Sequence, residues 1–166
     1  MASDLEISVR QKYKDLTLLL IEKGITVSTM ESCTAGQVAS LITDTEGSSS
    51  IFRGSYVTYC NDEKVRLGVP AEIVNRFGVY SAQTAKEMAK VCKNAFSVDL
   101  GIGITGSFAN IDPNNADSVP GEVYLAIATE EGTKASQITV PNGLSRPESK
   151  LYIASIAADM ILKELK

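Results

Sequence analysis

The 166-residue sequence contains no histidine. This absence excludes Ser-His-Asp and Cys-His catalytic machinery, and it excludes metal sites that are built from imidazole groups. Any proton transfer must therefore use lysine, tyrosine, cysteine or a carboxylate. The three cysteines, Cys33, Cys60 and Cys92, are too few and too far apart for a disulfide framework or a four-ligand zinc site, and we expect reduced thiols.

Long apolar runs and a basic net charge are also missing. No apolar run approaches the roughly 18 residues of a membrane span, and the first residues lack the features of a secretory signal or transit segment. We therefore expect a soluble, cytoplasmic protein that does not bind a membrane. The formal charge of −4 and the pI near 4.9 argue against a nucleic-acid-binding surface and favour small-molecule or protein partners.

The length and the pattern of apolar residues predict a single α/β domain over residues 1–166, without a linker or a second domain. Helices alternate with strands, which indicates a sheet covered by helices on both faces. A late pair of strands predicts a hairpin, so the sheet should be mixed rather than purely parallel. The predicted helices are 3–23, 34–43, a short segment capped by Asn61, 70–76, and segments capped by Ser81 and Ser145; the predicted strands are 25–30, 54–60, 99–104, 122–129 and 134–140.

Polar residues cluster where predicted strands end and helices begin, which is where open α/β sheets collect their ligands. A serine hydroxyl in such a turn can attack a carbonyl carbon if a lysine of lowered pKa accepts its proton. Ser32 is the candidate nucleophile and Lys64 the candidate base. Tyr59, at a strand end, can relay a proton or donate to a developing oxyanion, with backbone amides after Ser32 and around Thr105 as further donors.

Each of these residues also has a structural interpretation. Ser32 can be a helix cap, Lys64 a solvated surface lysine, and Arg146 a helix-end residue. Cys33 is a rival nucleophile, although it has no histidine to pair with. Glu31 can hold the turn or contact a ligand.

Two further features are interpreted as structural. Cys60 and Cys92 are predicted to be small core residues. The spacing Gly101-x-Gly103-x-x-Gly106 matches a dinucleotide fingerprint, but its glycines begin inside a predicted strand, so we discount that interpretation.

Several motifs follow one another along the chain. They are Glu31-Ser-Cys-Thr34 before Gly36, Gly47-Ser-Ser-Ser50, Tyr59-x-Asn61-x-x-Lys64, Leu67-Gly-Val-Pro70, Gly78-x-x-Ser81, Thr105-Gly106 and Pro120-Gly121-x-Val-Tyr124. Taken together, they resemble one family, the CinA carboxy-terminal domain or PncC-type nicotinamide-nucleotide amidase. The resemblance runs from about residue 10 to residue 165.

The resemblance implies a three-layer α/β/α domain with a mixed, mostly parallel sheet. It also implies hydrolysis of the carboxamide of nicotinamide mononucleotide to nicotinic acid mononucleotide and ammonia, without a metal or cofactor. The family's catalytic serine, tyrosine and lysine match Ser32, Tyr59 and Lys64. The residues expected to bind the substrate are Glu31, Cys33, Thr34, Gly36, Thr105, Gly106 and Arg146, with Arg146 and helix-start amides on the 5′-phosphate.

The sequence departs from the family pattern at three places. After Thr105-Gly106 the family usually has Ile-Ala-Gly-Pro-Gly-Gly, whereas this chain has residues 107–112, Ser-Phe-Ala-Asn-Ile-Asp. The lost glycines reduce backbone freedom, and Asp112 can bring negative charge near an expected substrate phosphate. Ala35 replaces a usual glycine, and Val79-Tyr80 replaces a usual Ala-Val.

These departures leave three hypotheses open: an amidase acting on nicotinamide mononucleotide, an amidase acting on another small carboxamide, or a catalytically silent nucleotide-binding or regulatory module. Many family members carry an additional amino-terminal domain associated with nucleotide pyrophosphatase activity. This chain starts too late to contain it, so we do not expect that activity here. A homodimer is expected for a small α/β domain.

Overall fold

The computed structural model describes all 166 residues as six α-helices, one 3₁₀ helix and five strands. The helices are α1 (Asp4–Lys23), α2 (Gln37–Thr43), α3 (Asn61–Arg66), α4 (Ala71–Phe77), α5 (Ala82–Phe96) and α6 (Arg146–Glu164), with a 3₁₀ turn at Ser48–Ser50. The strands are β1 (Val27–Glu31), β2 (Phe52–Val57), β3 (Leu100–Gly106), β4 (Glu122–Ala128) and β5 (Thr133–Thr139). No helix has both the length and the apolar content that crossing a bilayer requires.

The five strands form one mixed sheet in the order β2-β1-β3-β4-β5. Strands β2, β1 and β3 are parallel to one another, whereas β4 is antiparallel to both β3 and β5. All strands except β4 therefore point in one direction. The carboxyl ends of β1, β2 and β3 meet at one edge of the sheet, which confirms the predicted mixed, mostly parallel sheet and its late hairpin.

Helices cover both faces of the sheet. Helices α1, α2 and α6 lie on one face over a cluster of 26 buried apolar residues, and α4 and α5 lie on the other over a smaller cluster around Met30 and Met88. The predicted apolar stripe of α1 and that of α6 are buried in the larger cluster. The capping box at Ser145 and Glu148 is present, and Ser81 caps α5 as predicted.

Two glycines of β3 bring α5 close to the sheet. A Cβ atom at Gly101 would overlap the carbonyl oxygen of Ala89, and one at Gly103 would overlap that of Ala85. Residues Leu100, Ile102 and Ile104 alternate with these glycines and face the larger core. The glycine spacing thus serves helix packing on a strand, in agreement with our discounting of a dinucleotide fingerprint.

Four local expectations are wrong. Strand β2 ends at Val57 rather than at Cys60. Helix α2 begins at Gln37 rather than Thr34. Ala35 and Gly36 have positive φ angles of 49° and 89°, which are not helical, so the right-handed helix can start only after them. Cys60, not Asn61, precedes the first residue of α3, and its side chain is exposed, so the core prediction for Cys60 fails. Cys92 is buried, as predicted.

Candidate active site

Ser32 and Lys64 meet at the carboxyl edge of the sheet. Ser32 follows β1, and its backbone N–H donates to the carbonyl of Ile104 on β3 across 3.0 Å, which fixes the turn against the neighbouring strand. Lys64 extends from α3, and its Nζ lies 3.2 Å from Ser32 Oγ and 3.1 Å from the carbonyl oxygen of Thr58. The hydroxyl and the amine, predicted to act together, are within hydrogen-bond distance.

Burial changes the proton affinity of the Lys64 amine. The side chain is only 1% exposed. Desolvation lowers its pKa to about 8, against the opposing influence of Cys60, Cys33 and the Asp112 carboxylate. A substantial fraction of Lys64 is therefore neutral at slightly alkaline pH, and a neutral amine can accept the proton of Ser32.

Cys33 is poorly suited to act as the nucleophile of this turn. Its side chain is buried, and desolvation together with the nearby Glu31 raises the pKa of its thiol to about 12. The thiolate, which is the reactive form, is therefore scarce at neutral pH. Of the two rivals in the turn, the structure favours Ser32.

The Glu31 carboxylate organises the turn that carries Ser32. It is fully buried and accepts hydrogen bonds from the backbone N–H groups of Gly36, Val38 and Ala39 and from the Thr29 hydroxyl. These donors include N–H groups of the first turn of α2, which have no partner within the helix. These contacts favour the interpretation that Glu31 holds the turn rather than contacts a ligand. The backbone N–H of Gly36 already donates to Glu31.

A cavity of about 280 Å³ opens beside Ser32, slightly smaller than the usual range for ligand sites. Five of the predicted site residues line it, namely Ser32, Cys33, Tyr59, Gly106 and Arg146; the rest of the wall is Tyr80, Ser107 and residues 110–114. Lys64 lies behind Ser32, and the predicted Thr34 and Thr105 are fully buried outside the wall. The Thr105 hydroxyl donates to the carbonyl of Val79 across 3.0 Å.

A larger cavity of about 630 Å³ lies away from Ser32, against α1 and residues 44–46, and none of the predicted site residues line it. No group of three or more Cys, Asp or Glu side chains is arranged to hold a metal ion.

Arg146 and Tyr59 form a pair at the mouth of the cavity. The Arg146 guanidinium donates to the Tyr59 hydroxyl across 2.7 Å and lies 5.5 Å from the centre of the Phe108 ring. The Tyr59 side chain is 63% exposed and makes no hydrogen bond to Ser32 or Lys64. Its position in the wall agrees with a contact to a ligand, whereas proton relay would need it to approach Lys64.

A hydrogen-bonded network in the loop between β3 and β4 was not predicted from the sequence. The Asp112 carboxylate accepts from the Tyr80 hydroxyl across 2.6 Å, from the Asn115 side chain across 2.7 Å and from the Asn114 backbone across 2.9 Å. The Asn61 side chain, in the first turn of α3, donates to Asn115 across 2.8 Å. The signal in the sequence was that positions 80 and 112 both depart from the family pattern.

The family model and the relatives that match this sequence point to the same family. Residues 10–165 match the family model described as the CinA C-terminal domain. A CinA-like protein of Flavobacterium psychrophilum is 40% identical over 152 residues, covering 89% of this chain and 35% of that protein. A protein of Shewanella oneidensis named nicotinamide-nucleotide amidohydrolase PncC is 35% identical over 153 residues, covering 92% of this chain and 36% of that protein.

The fold has a close counterpart among solved structures. The crystal structure of a competence/damage inducible protein, CihA, from Agrobacterium tumefaciens superposes with a TM-score of 0.84 at 29% identity, covering 93% of this chain and 94% of that one. The chain spans about a third of the length of the curated relatives it matches. Because the family model matches residues 10–165 and a relative is 40% identical over 89% of this chain, the chain belongs to the family of CinA C-terminal domains.

Proposed function

We propose that this protein is an amide hydrolase that converts nicotinamide mononucleotide to nicotinic acid mononucleotide and ammonia. The observation that carries the proposal is the buried Lys64 amine, 3.2 Å from the Ser32 hydroxyl. The name of the Shewanella oneidensis relative, nicotinamide-nucleotide amidohydrolase, supports the choice of substrate.

In the first step, the neutral Lys64 amine accepts the Ser32 proton while Oγ attacks the carboxamide carbon. The resulting oxyanion needs donors that are not already used. The backbone N–H groups of Cys33 and Thr34 donate to no backbone carbonyl and lie beside the Cys33 sulfur. We assign these two N–H groups, which follow Ser32 in the turn, as the oxyanion donors.

In the second step, the Lys64 ammonium returns the proton to the amide nitrogen, the carbon–nitrogen bond breaks and ammonia leaves. The acyl group is now an ester of Ser32. A water molecule, deprotonated by Lys64, attacks this ester, and the Ser32 oxygen recovers the proton as the carboxylic acid product is released. Lysine thus acts as base, then acid, in each half of the reaction, as histidine does in other serine hydrolases.

Arg146 supports a phosphate-bearing substrate. It is the only cationic side chain in the cavity wall, and a guanidinium can bind a phosphate through two parallel hydrogen bonds. Tyr59, which already contacts the guanidinium, would orient it. We assign Arg146 to the 5′-phosphate and Tyr59 to the same end of the substrate.

The test is ammonia release from nicotinamide mononucleotide by the wild type and by two variants, Ser32→Ala and Lys64→Met. Each variant should lose about 10³-fold or more in kcat/KM. The exposed Ser49 and Lys163 provide the matched controls Ser49→Ala and Lys163→Met, which should retain activity. Wild-type protein that releases no more ammonia than Ser32→Ala would refute the proposal.

The altered loop favours a second candidate, the same chemistry on a different small carboxamide. Asp112, where the family usually has glycine, places a carboxylate in the cavity wall. A screen of carboxamides with and without phosphate, each assayed for ammonia release, would identify such a substrate. Higher kcat/KM for another carboxamide than for nicotinamide mononucleotide would replace the first candidate.

A further inference from the structure

The cavity beside Ser32 carries one charge of each sign. Among its lining residues, Arg146 is the only cation and Asp112 the only anion. A ligand that complements this wall therefore carries both charges. Ser32 and Asp112 line the same cavity, and the Asp112 charge acts on the Lys64 amine that contacts Ser32, so a ligand whose carboxamide reaches Ser32 lies near Asp112.

The Asp112 carboxylate is ionised but has no cationic partner. Its hydrogen-bond donors are the neutral groups of Tyr80, Asn115 and Asn114, and it takes part in no salt bridge. These donors lower its pKa, so the negative charge persists at neutral pH. The cation that affects it electrostatically is Lys64, which must be neutral to act as a base.

We propose that Asp112 is the counter-ion for a positive charge on the substrate's carboxamide-bearing ring, and that it makes the site selective for cationic carboxamides over neutral ones. This inference rests on the proposed function, since it takes the carboxamide to be the group presented to Ser32. In nicotinamide mononucleotide, the ring nitrogen is bonded to the sugar and the ring is a cationic pyridinium. Asp112 then faces the ring while Arg146 faces the phosphate.

The arrangement also determines how rigidly the counter-ion is held. Tyr80 fixes the carboxylate from the loop that precedes α5, and Asn115 ties it to Asn61 on α3. A carboxylate held by several donors needs little reorganisation when a cation approaches, which increases the contribution of its charge to binding. Asp112 is thus a specificity residue and takes no part in proton transfer.

The matched ligands are nicotinamide mononucleotide and its 1,4-dihydro form, which share the phosphate and the carboxamide but differ in ring charge. Binding is measured by calorimetry on Ser32→Ala protein, which cannot form the acyl ester. Adding Asp112→Asn should weaken the binding of the cationic nucleotide relative to the dihydro nucleotide about fivefold, the change expected when one nearby charge is removed from a partly exposed site. The dihydro nucleotide should bind as before.

The control is Asp117→Asn, which removes the same charge from the same loop at an exposed position outside the cavity wall. An unchanged ratio in Asp112→Asn, an equal fall in Asp117→Asn, or tighter binding of both nucleotides after Asp112→Asn would each overturn the inference. The last result would indicate that Asp112 faces the phosphate. Failure of both nucleotides to bind the Ser32→Ala protein would overturn it as well.

Ammonia release distinguishes this inference from the proposed function. If the wild type hydrolyses the nucleotide but the affinity ratio is unchanged, only the assignment of Asp112 fails. If the ratio falls as expected but no ammonia is released, the amidase proposal fails and Asp112 remains the counter-ion of a binding site.

Discussion

Tyr80 donates a 2.6 Å hydrogen bond to Asp112, and both residues stand where the CinA family usually has smaller ones. These two differences from the family pattern are therefore linked in the structure, because the hydroxyl of Tyr80 donates to the carboxylate of Asp112. The pair connects the segment before α5 to the loop after β3, the two sides of the cavity wall. A comparison of positions one by one would treat them as unrelated.

Tyr80→Phe should lower the free energy of unfolding by roughly 1 kcal/mol at neutral pH, the usual contribution of such a hydrogen bond. The bond lowers the pKa of Asp112, so its contribution is present above the carboxyl's unfolded pKa and is lost as the pH falls. Urea denaturation at neutral and acidic pH measures the difference. Tyr152→Phe, which removes a hydroxyl without a hydrogen bond, should show no such pH dependence.

Lys64→Met should stabilise the protein at pH 7, because the wild type must bury a protonated amine there. The folded pKa of about 8 lies below the ordinary 10.5, so between these values the unfolded state binds more protons and wild-type stability rises with pH. The advantage of the variant, up to about 3 kcal/mol, should shrink across that window. Denaturation of both proteins from pH 7 to 10.5 tests this; a constant difference, like that expected for Lys163→Met, would contradict it.

The same amine should set the pH dependence of catalysis. The neutral form of Lys64 is the base, so kcat/KM should rise with pH and level off above an apparent pKa near 8. A pH profile of ammonia release measures this. If kcat/KM instead rises near pH 10.5, the ordinary pKa of lysine, then Lys64 in the protein without substrate is better solvated than its burial indicates.

Cys33→Ala should retain amidase activity to within about fivefold, since its thiol has a pKa of about 12 and is not a usable nucleophile at neutral pH. Ser32→Ala, measured in the same ammonia assay, should be inactive. The reverse outcome, an active Ser32→Ala and an inactive Cys33→Ala of normal stability, would assign the nucleophile to the thiol.

Glu31→Gln should destabilise the protein by about 1–3 kcal/mol, because one acceptor oxygen is replaced by a donor facing buried N–H groups. Activity should fall as well, since the same turn carries Ser32. Chemical denaturation and ammonia release are both needed. The exposed Glu130 gives the control Glu130→Gln, which should change neither.

Arg146→Ala should raise KM for nicotinamide mononucleotide about tenfold or more, while kcat changes little, because the guanidinium is assigned to the phosphate and not to the reacting carbon. The riboside, which lacks the phosphate, should show an unchanged KM. Arg53→Ala, at an exposed position outside the cavity, is the control. Equal losses for nucleotide and riboside would reject the assignment to phosphate.

The layers of the fold and the pairing of Ser32 with Lys64 were predictable, because β1 and β2 are parallel neighbours whose following turns meet at one edge. The burial of Lys64 was not. Its neighbours Asp62, Glu63 and Arg66 are typical of a solvated helix, and only the packing of α3 against the Ser32 turn encloses the amine. Local patterns carry no information about such an enclosure.

The position of Tyr59 shows a second limit. The alternation of residues 54–60 predicts a strand up to Cys60, but β2 ends at Val57 and Tyr59 lies exposed beyond it. The partner of Tyr59 is Arg146, which is 87 residues away in the sequence. Contacts of this kind depend on the tertiary arrangement of loops and helix ends, which single-segment propensities do not describe.

The side-chain amides of Asn61 and Asn115 bond each other in both directions, across 2.8 and 3.4 Å. One belongs to the helix that carries the base and the other to the loop that closes the cavity. Moving the loop away from α3 would therefore break the hydrogen bonds between Asn61 and Asn115 or move the first turn of α3 with the loop. Widening the cavity is in this way coupled to the position of α3, the helix that sets the distance between the Lys64 amine and the Ser32 hydroxyl.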